Sequence, residues 1–192
     1  LTDLVEAMHV RIARPGSTAR SADGRAGGLS GIVYRTIRGV TRVAGGSVDA
    51  LLRLLVPALP AEDHSPQREA IVAALNGVLG DYLAATGNPL AISMALRRDG
   101  LPLELEASAL RARLPSASGR LLVLMHGLCM SDLQWSRAGH EHGAALARDL
   151  GYTPVYLHYN SGLHISINGH ALANQLERLI DQWPQPLDRF VL

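Results

Sequence analysis

An apolar run that stops at a His-Gly pair constrains the fold more than any other part of this sequence. Residues 121–125 read Leu-Leu-Val-Leu-Met, and His126 and Gly127 follow at once. A short apolar run of this kind is typical of a strand buried on both faces of a parallel sheet. Open α/β sheets bind ligands in the crevice beyond the carboxyl ends of such strands. We therefore expect backbone N–H groups near Leu128 to face a binding site.

The sequence around this run predicts an α/β fold. Further strands are expected at 153–159 and from 189 onward, and helices near 138–150 and over 168–183. Strands that alternate with helices imply right-handed crossovers and a parallel sheet with helices on its faces. Upstream, two short strands at 90–96 and 102–105 flank Asp99-Gly100, a pair favoured in hairpin turns. The helix over 168–183 is expected to bury one apolar stripe, consisting of Leu172, Leu176, Leu179, Ile180 and Trp183.

Residues 1–87 are predicted to be a helical N-terminal extension, with a flexible segment rich in Gly and Arg near 13–31. Its clearest helix should begin at Ser65-Pro66, which suit a cap and a first turn, and end near Gly87. Residues 32–59 are mostly apolar with a basic stripe. This pattern fits either a peripheral membrane contact or a helical layer with a solvated arginine face.

Composition excludes several classes of function. The chain of 192 residues is 47% hydrophobic with a formal net charge of +1, so no strong field attracts it to nucleic acid. Lysine is absent from the sequence, which excludes a Walker-type phosphate lysine and a Schiff-base lysine. Cys129 is the single cysteine, which excludes an internal disulfide and a multi-cysteine zinc site. The N-terminal residues lack the pattern of a signal peptide, so a cytoplasmic or peripheral-membrane location is expected.

Three segments carry a resemblance to a known family. They are 122–128 (Leu-Val-Leu-Met-His-Gly-Leu), 139–143 (Gly-His-Glu-His-Gly) and 156–162 (Tyr-Leu-His-Tyr-Asn-Ser-Gly). Together they resemble the lipase and esterase branch of the α/β-hydrolase superfamily, which includes bacterial triacylglycerol lipases and hydrolases like the GPI inositol-deacylases. The likeness runs from about residue 90 to 192, and residues 88–192 are predicted to form the N-terminal part of a hydrolase domain. It implies the N-terminal part of a three-layer hydrolase sheet, in which a β-hairpin leads into parallel strands.

The resemblance also implies an activity and a site. It makes His126, Gly127 and Leu128 the oxyanion loop of a serine-type carboxylic ester hydrolase, with the Leu128 N–H as a donor and His126 as a residue that shapes the loop. The substrate would be a small-molecule or lipid ester, and no metal or organic cofactor is implied. The G-x-S-x-G motif of the nucleophile is absent. It is expected after the strand that starts at 189, with the acid and histidine further on, so this stretch alone is expected to be inactive.

Other polar residues leave alternatives open. Tyr159, Asn160 and Ser161 form either a substrate-binding loop or a capped turn between strand and helix. His140 and His142 invite a metal interpretation, but on one helix they would point about 200° apart, which favours solvated or capping histidines.

Four more residues have open roles. Cys129 is either a nucleophile or, as we prefer, a packing residue. Trp135 shapes an acyl pocket or anchors the loop, and Asp132 caps the loop or faces solvent. His158 is expected to join a pocket after the second parallel strand, together with His164.

Two rival functions remain. The first is a non-catalytic α/β-hydrolase-like module for binding or membrane association. The second is a doubly wound nucleotide-binding domain, which is disfavoured because no G-x-G-x-x-G follows the strand at 121–125.

Overall fold

A computed structural model describes residues 65–192. The chain divides into two compact units, Leu1–Ile71 and Val72–Leu192. The predictions for residues 1–64, including the flexible segment near 13–31 and the membrane contact through 32–59, lie outside the described residues. The predicted domain boundary at 87/88 stays a prediction.

The first described helix, α1, spans Pro66–Ala85 and confirms the prediction made from its terminal residues. The Ser65 hydroxyl accepts a hydrogen bond from the Arg68 N–H at 3.2 Å, which satisfies one free N–H of the first turn. Gly87 ends the helix with a φ of 61°, a left-handed conformation that glycine adopts without strain. Leu75 and Leu83 of this helix are fully buried.

The strands and helices predicted from residue 120 onward are present, together with several short elements that the sequence did not predict. The strands are β1 (Ala95–Arg98), β2 (Leu101–Pro102), β3 (Arg120–Met125), β4 (Ser136–Arg137), β5 (His140–Glu141), β6 (Thr153–His158) and β7 (Arg189–Val191). The helices are α2 (Ala107–Arg113), α3 (His142–Leu150) and α4 (Ile165–Asp181), together with a 3-10 helix over Asp132–Trp135. None of the helices in residues 65–192 combines the length and the apolar character needed to cross a bilayer.

Five of these strands form one mixed sheet in the order β2-β1-β6-β3-β7. The strand β3 pairs in parallel with β6 and β7, whereas β1 pairs antiparallel with both β2 and β6. The order and direction of the strands therefore confirm the predicted α/β class, the hairpin and the parallel strands. In the register, Met125 lies beside Leu157, so β3 and β6 end together at one edge of the sheet.

The hairpin turns at Asp99 and Gly100, whose φ angles of 53° and 75° match a type I′ turn. Its strands, Ala95–Arg98 and Leu101–Pro102, are shorter than the predicted 90–96 and 102–105 and lie closer to the turn. Residues 90–92 do not pair as a strand because their backbone N–H groups donate to asparagine side chains. The Leu90 N–H donates to Asn88 Oδ1 and the Ile92 N–H donates to Asn76 Oδ1.

Helices cover both faces of the sheet. On one face, Val123 and Val155 belong to a core that includes Leu110 of α2 and Leu179 of α4. On the other face α3 approaches closely at Gly143, where a Cβ atom would lie 2.8 Å from Pro154 Cβ. This arrangement agrees with the predicted helical layers.

Three expectations about helices need correction. The helix predicted at 138–150 begins only at His142, because Ala138 and Gly139 adopt positive φ angles of 50° and 79° in the turn between β4 and β5. Ile180 is 40% exposed and does not belong to the buried stripe of α4. Helix α2 was not predicted.

Candidate functional site

A four-residue turn follows β3 and exposes one backbone donor. The Met130 N–H donates to the Gly127 carbonyl at 3.2 Å, which closes the turn. Cys129 has a φ of 59°, whereas Leu128 is not among the positive-φ residues. Positive φ at the third position alone is the pattern of a type II turn. The Leu128 N–H has no hydrogen-bond partner among residues 65–192.

Cys129 is held in its left-handed conformation from two sides. Its N–H donates to the Ser161 hydroxyl at 3.0 Å. Gly77 of α1 packs against it so closely that a Cβ atom there would lie 2.8 Å from the Cys129 nitrogen. Burial raises the pKa of the thiol to about 11, which keeps it protonated at neutral pH. These contacts agree with the packing role preferred from the sequence.

His126 is buried behind the turn and fixes its direction. Its Nδ1–H donates to the Gly127 carbonyl at 2.9 Å, which leaves Nε2 to accept the Tyr159 N–H at 3.3 Å. The ring stacks on Tyr159 with centroids 4.4 Å apart, and the Tyr159 hydroxyl donates to the His126 carbonyl at 2.9 Å. Burial is the main cause that lowers the pKa of His126, to about 4, so the ring is neutral at pH 7.

A buried charged group lies next to His126. Asp132 Oδ1 lies 3.2 Å from the Arg97 guanidinium and 3.0 Å from His158 Nδ1. Burial alone would raise the pKa of Asp132, but the hydrogen bond with His158 and the charge of Arg97 hold it below its ordinary value. Asp132 is 4% exposed, so the expectation that it faces solvent is wrong.

Arg97 is a residue of this buried group that the sequence did not predict. It lies 35 residues before Asp132, and an arginine in a short strand of a hairpin is ordinarily solvent-exposed. Pairing of β1 with β6 brings it to the sheet edge near His158. No local sequence pattern predicts the contact between Arg97 and Asp132.

The turn opens on an apolar cavity of about 350 Å³. Leu128, Tyr159 and Ser161 line it together, so the structure brings the loop after β3 and the loop after β6 to one cavity. Leu157 and Leu172 are among the apolar side chains that complete the lining. A concave apolar site with few polar groups is the usual form of a ligand site.

Asn160, the third residue of the predicted substrate loop, does not line this cavity. It is 1% exposed, and its amide group donates to the Gly80 carbonyl at 2.9 Å and accepts the Gly162 N–H at 3.1 Å. These bonds tie the loop after β6 to helix α1. The geometry therefore gives Asn160 a structural role.

The histidines of the Gly-His-Glu-His-Gly segment lie elsewhere. His140 belongs to β5 and not to a helix, and its ring meets that of His142 edge-on at 4.8 Å. The Glu141 side chain caps α3 by accepting from the Gly143 N–H at 2.9 Å. Within residues 65–192 neither histidine belongs to a group of three potential metal ligands.

His164 and Trp135 also lie outside the cavity. His164 is exposed and caps α4 by accepting the Ser166 N–H. Trp135 lines a separate cavity of about 370 Å³ together with Tyr156 and Glu141. Trp135 could shape an acyl pocket only if the acyl chain bound in this second cavity.

Comparisons with protein-family models, with curated proteins and with solved structures gave no match for this chain.

Proposed function

We propose that the protein is a serine-type carboxylic ester hydrolase in which this chain supplies the oxyanion loop. The observation that carries the proposal is the Leu128 N–H: it belongs to a turn at the carboxyl end of a central parallel strand and lacks a partner among residues 65–192, and its residue lines an apolar cavity. A donor of this kind stabilises the negative oxygen of a tetrahedral intermediate more than the carbonyl of the bound ester.

The rigidity of the turn supports the same proposal. An oxyanion donor is effective only if it is already in place, because reorganisation during the reaction would use up the stabilisation. The neutral His126 ring, the Tyr159 hydroxyl and the Ser161 hydroxyl each bind a backbone group of this loop. Removal of one oxyanion donor in enzymes of this kind lowers kcat by about 10²–10³.

Bond cleavage requires a nucleophile that the oxyanion loop does not provide. The proposal places it directly after β7, on the strand beside β3, where a serine would reach the carbon of an ester held by the Leu128 N–H. The apolar lining of the cavity favours an acyl or lipid-like ester over a charged substrate.

Hydrolysis of p-nitrophenyl butyrate by the full-length protein tests the proposal. We expect turnover, labelling of one serine by a fluorophosphonate, and a G-x-S-x-G motif soon after Leu192. In Gly127→Val we expect kcat to fall far more than stability, since a Cβ at Gly127 meets only the flexible Met130 side chain, at 3.3 Å. Equal kcat per folded molecule in that variant, or no motif and no turnover, would contradict the proposal.

A non-catalytic binding module is the second candidate. One observation favours it: the cavity and its donors are formed within residues 94–172, so binding needs nothing beyond them. A full-length protein that binds acyl ligands without any ester turnover would select this candidate over the hydrolase.

A further inference from the structure

The cavity beside Leu128 holds a second free hydrogen-bond donor. The Ser161 hydroxyl oxygen accepts the Cys129 N–H at 3.0 Å. Its own proton has no acceptor among residues 65–192. Ser161 and Leu128 line the same cavity. Two residues that each carry a donor without an acceptor among residues 65–192, one from each loop, therefore line the same cavity.

The hydrogen bond from Cys129 prepares this hydroxyl to donate. A hydroxyl that already accepts a hydrogen bond is polarised and becomes a stronger donor. The same bond orients the Ser161 oxygen, because the Cys129 N–H occupies one of its lone pairs. The hydroxyl of Tyr159 cannot replace it, since that hydroxyl donates to the His126 carbonyl.

The volume and the apolar lining of the cavity restrict which chemical group could be attached to an oxygen bound by these two donors. Leu157, Leu163 and Leu172 line it, and its volume of about 350 Å³ is at the small end of ligand cavities, which span roughly 300–1,000 Å³. A short aliphatic chain fits this space, whereas a long lipid chain would leave most of its length outside. The cavity therefore suits an anionic or carbonyl oxygen on a short-to-medium alkyl chain.

We propose that Ser161 Oγ–H and the Leu128 N–H bind one oxygen of a straight-chain, short-to-medium aliphatic acyl group, with the chain in the apolar cavity. This inference rests on the proposed function for its choice of an acyl group. It adds Ser161 as a second, side-chain donor to the oxyanion, and it makes the matching fatty carboxylate a ligand of the same cavity.

Titration of the full chain with octanoate, followed by calorimetry and by amide NMR shifts, tests the inference without any ester turnover. We expect saturable binding with a shift of the Leu128 amide, and no comparable binding of acetate, which has the same head group without the chain. Octylammonium, with the same chain and the opposite charge, should bind far more weakly.

Variants at position 161 separate donation from packing. Ser161→Ala should weaken octanoate binding about tenfold, as expected for one charge-assisted hydrogen bond. Ser161→Thr keeps a hydroxyl and should bind nearly as well as wild type. Octanol, whose uncharged hydroxyl makes a weaker hydrogen bond, should lose much less affinity in Ser161→Ala. A loss of affinity that is equal for octanol and octanoate would mean only a distorted turn and would overturn the inference.

The outcomes distinguish this inference from the proposed function. Ester turnover that is unchanged in Ser161→Ala, with octanoate bound equally by both proteins, would refute the role of Ser161 and leave the hydrolase proposal intact. Octanoate binding that depends on Ser161 in a protein without turnover would refute the hydrolase and keep the acyl site. Absence of octanoate binding to the wild-type chain would overturn the inference outright.

Discussion

Tyr159 holds His126 by three contacts: the two rings stack at 4.4 Å, the Tyr159 hydroxyl donates to the His126 carbonyl at 2.9 Å, and the Tyr159 N–H donates to His126 Nε2 at 3.3 Å. This pair links the end of β6 to the start of the turn after β3. Stability of the candidate site therefore depends on residues that do not themselves need to touch a substrate.

Tyr159→Phe tests the hydroxyl of this pair while keeping the stacked ring. We expect the free energy of unfolding to fall by about 1 kcal/mol, the usual net value of one hydrogen bond. Tyr152→Phe is the matched control, because the Tyr152 hydroxyl makes no hydrogen bond within residues 65–192. Denaturant unfolding measures both variants, and equal stability of the two would contradict the role given to the Tyr159 hydroxyl.

Asp132→Asn tests how much the buried contacts of Asp132 with Arg97 and His158 stabilise the fold. The substitution removes the carboxylate charge that faces Arg97 and His158, so we expect a loss of about 3–5 kcal/mol, typical when one partner of a buried ion pair is removed. The control is Asp149→Asn at the exposed pair with Arg148, where we expect no measurable change. A loss as small as that of the control would show that the Asp132 contacts contribute little.

The lowered pKa of His126 predicts how the free energy of unfolding changes with pH. In the folded protein its pKa is about 4, below the ordinary value of 6.5, so unfolding takes up a proton between these two pH values. The contribution is fully present above pH 6.5 and is lost as pH falls toward 4, with a slope of up to about 1.4 kcal/mol per pH unit. Chemical denaturation at a series of pH values measures this slope.

His126→Gln should flatten that dependence, since glutamine does not titrate. His170→Gln provides the control, because His170 is exposed and should leave the slope unchanged. A slope that persists in His126→Gln would assign the effect to another group.

Gly77 and Gly169 provide a paired test of helix packing. A Cβ at Gly77 would lie 2.8 Å and 2.9 Å from backbone atoms of Cys129, whereas a Cβ at Gly169 meets nothing within 4 Å. Alanine at 169 should stabilise its helix by up to about 1 kcal/mol. Alanine at 77 should instead destabilise by about 1–3 kcal/mol, because the backbone of Cys129 has to move. Thermal unfolding that ranks the two variants in the opposite order would contradict the packing of α1 on the turn.

Local patterns were sufficient for the elements of the sheet. The apolar run at 121–125 and the segment at 153–159 predicted β3 and β6 within a residue, because buried parallel strands have a distinctive composition. The Asp99-Gly100 pair predicted the hairpin because few other residues adopt two positive φ angles in succession.

Local patterns failed where side chains from distant segments decide the structure. Asp132 is buried only because Arg97 and His158 reach it from β1 and β6. The sequence leaves Asn160 in either a substrate loop or a capped turn, and the choice depends on its amide, which binds the backbone of α1 eighty residues away along the chain. The free donor of Ser161 depends on its contact with Cys129, which becomes visible only once β3 and β6 are paired.

Leu128→Pro tests whether the Leu128 N–H stabilises a developing oxyanion. Proline removes this N–H, and the second position of a type II turn is one that proline favours, so the variant should fold. Leu128→Ala is its control, because it removes the same side chain and keeps the N–H. Ester hydrolysis by the full-length protein is the measurement. We predict a kcat for Leu128→Pro about 10²–10³ below that of Leu128→Ala, with similar thermal stability. Equal kcat values in the two variants would contradict the account.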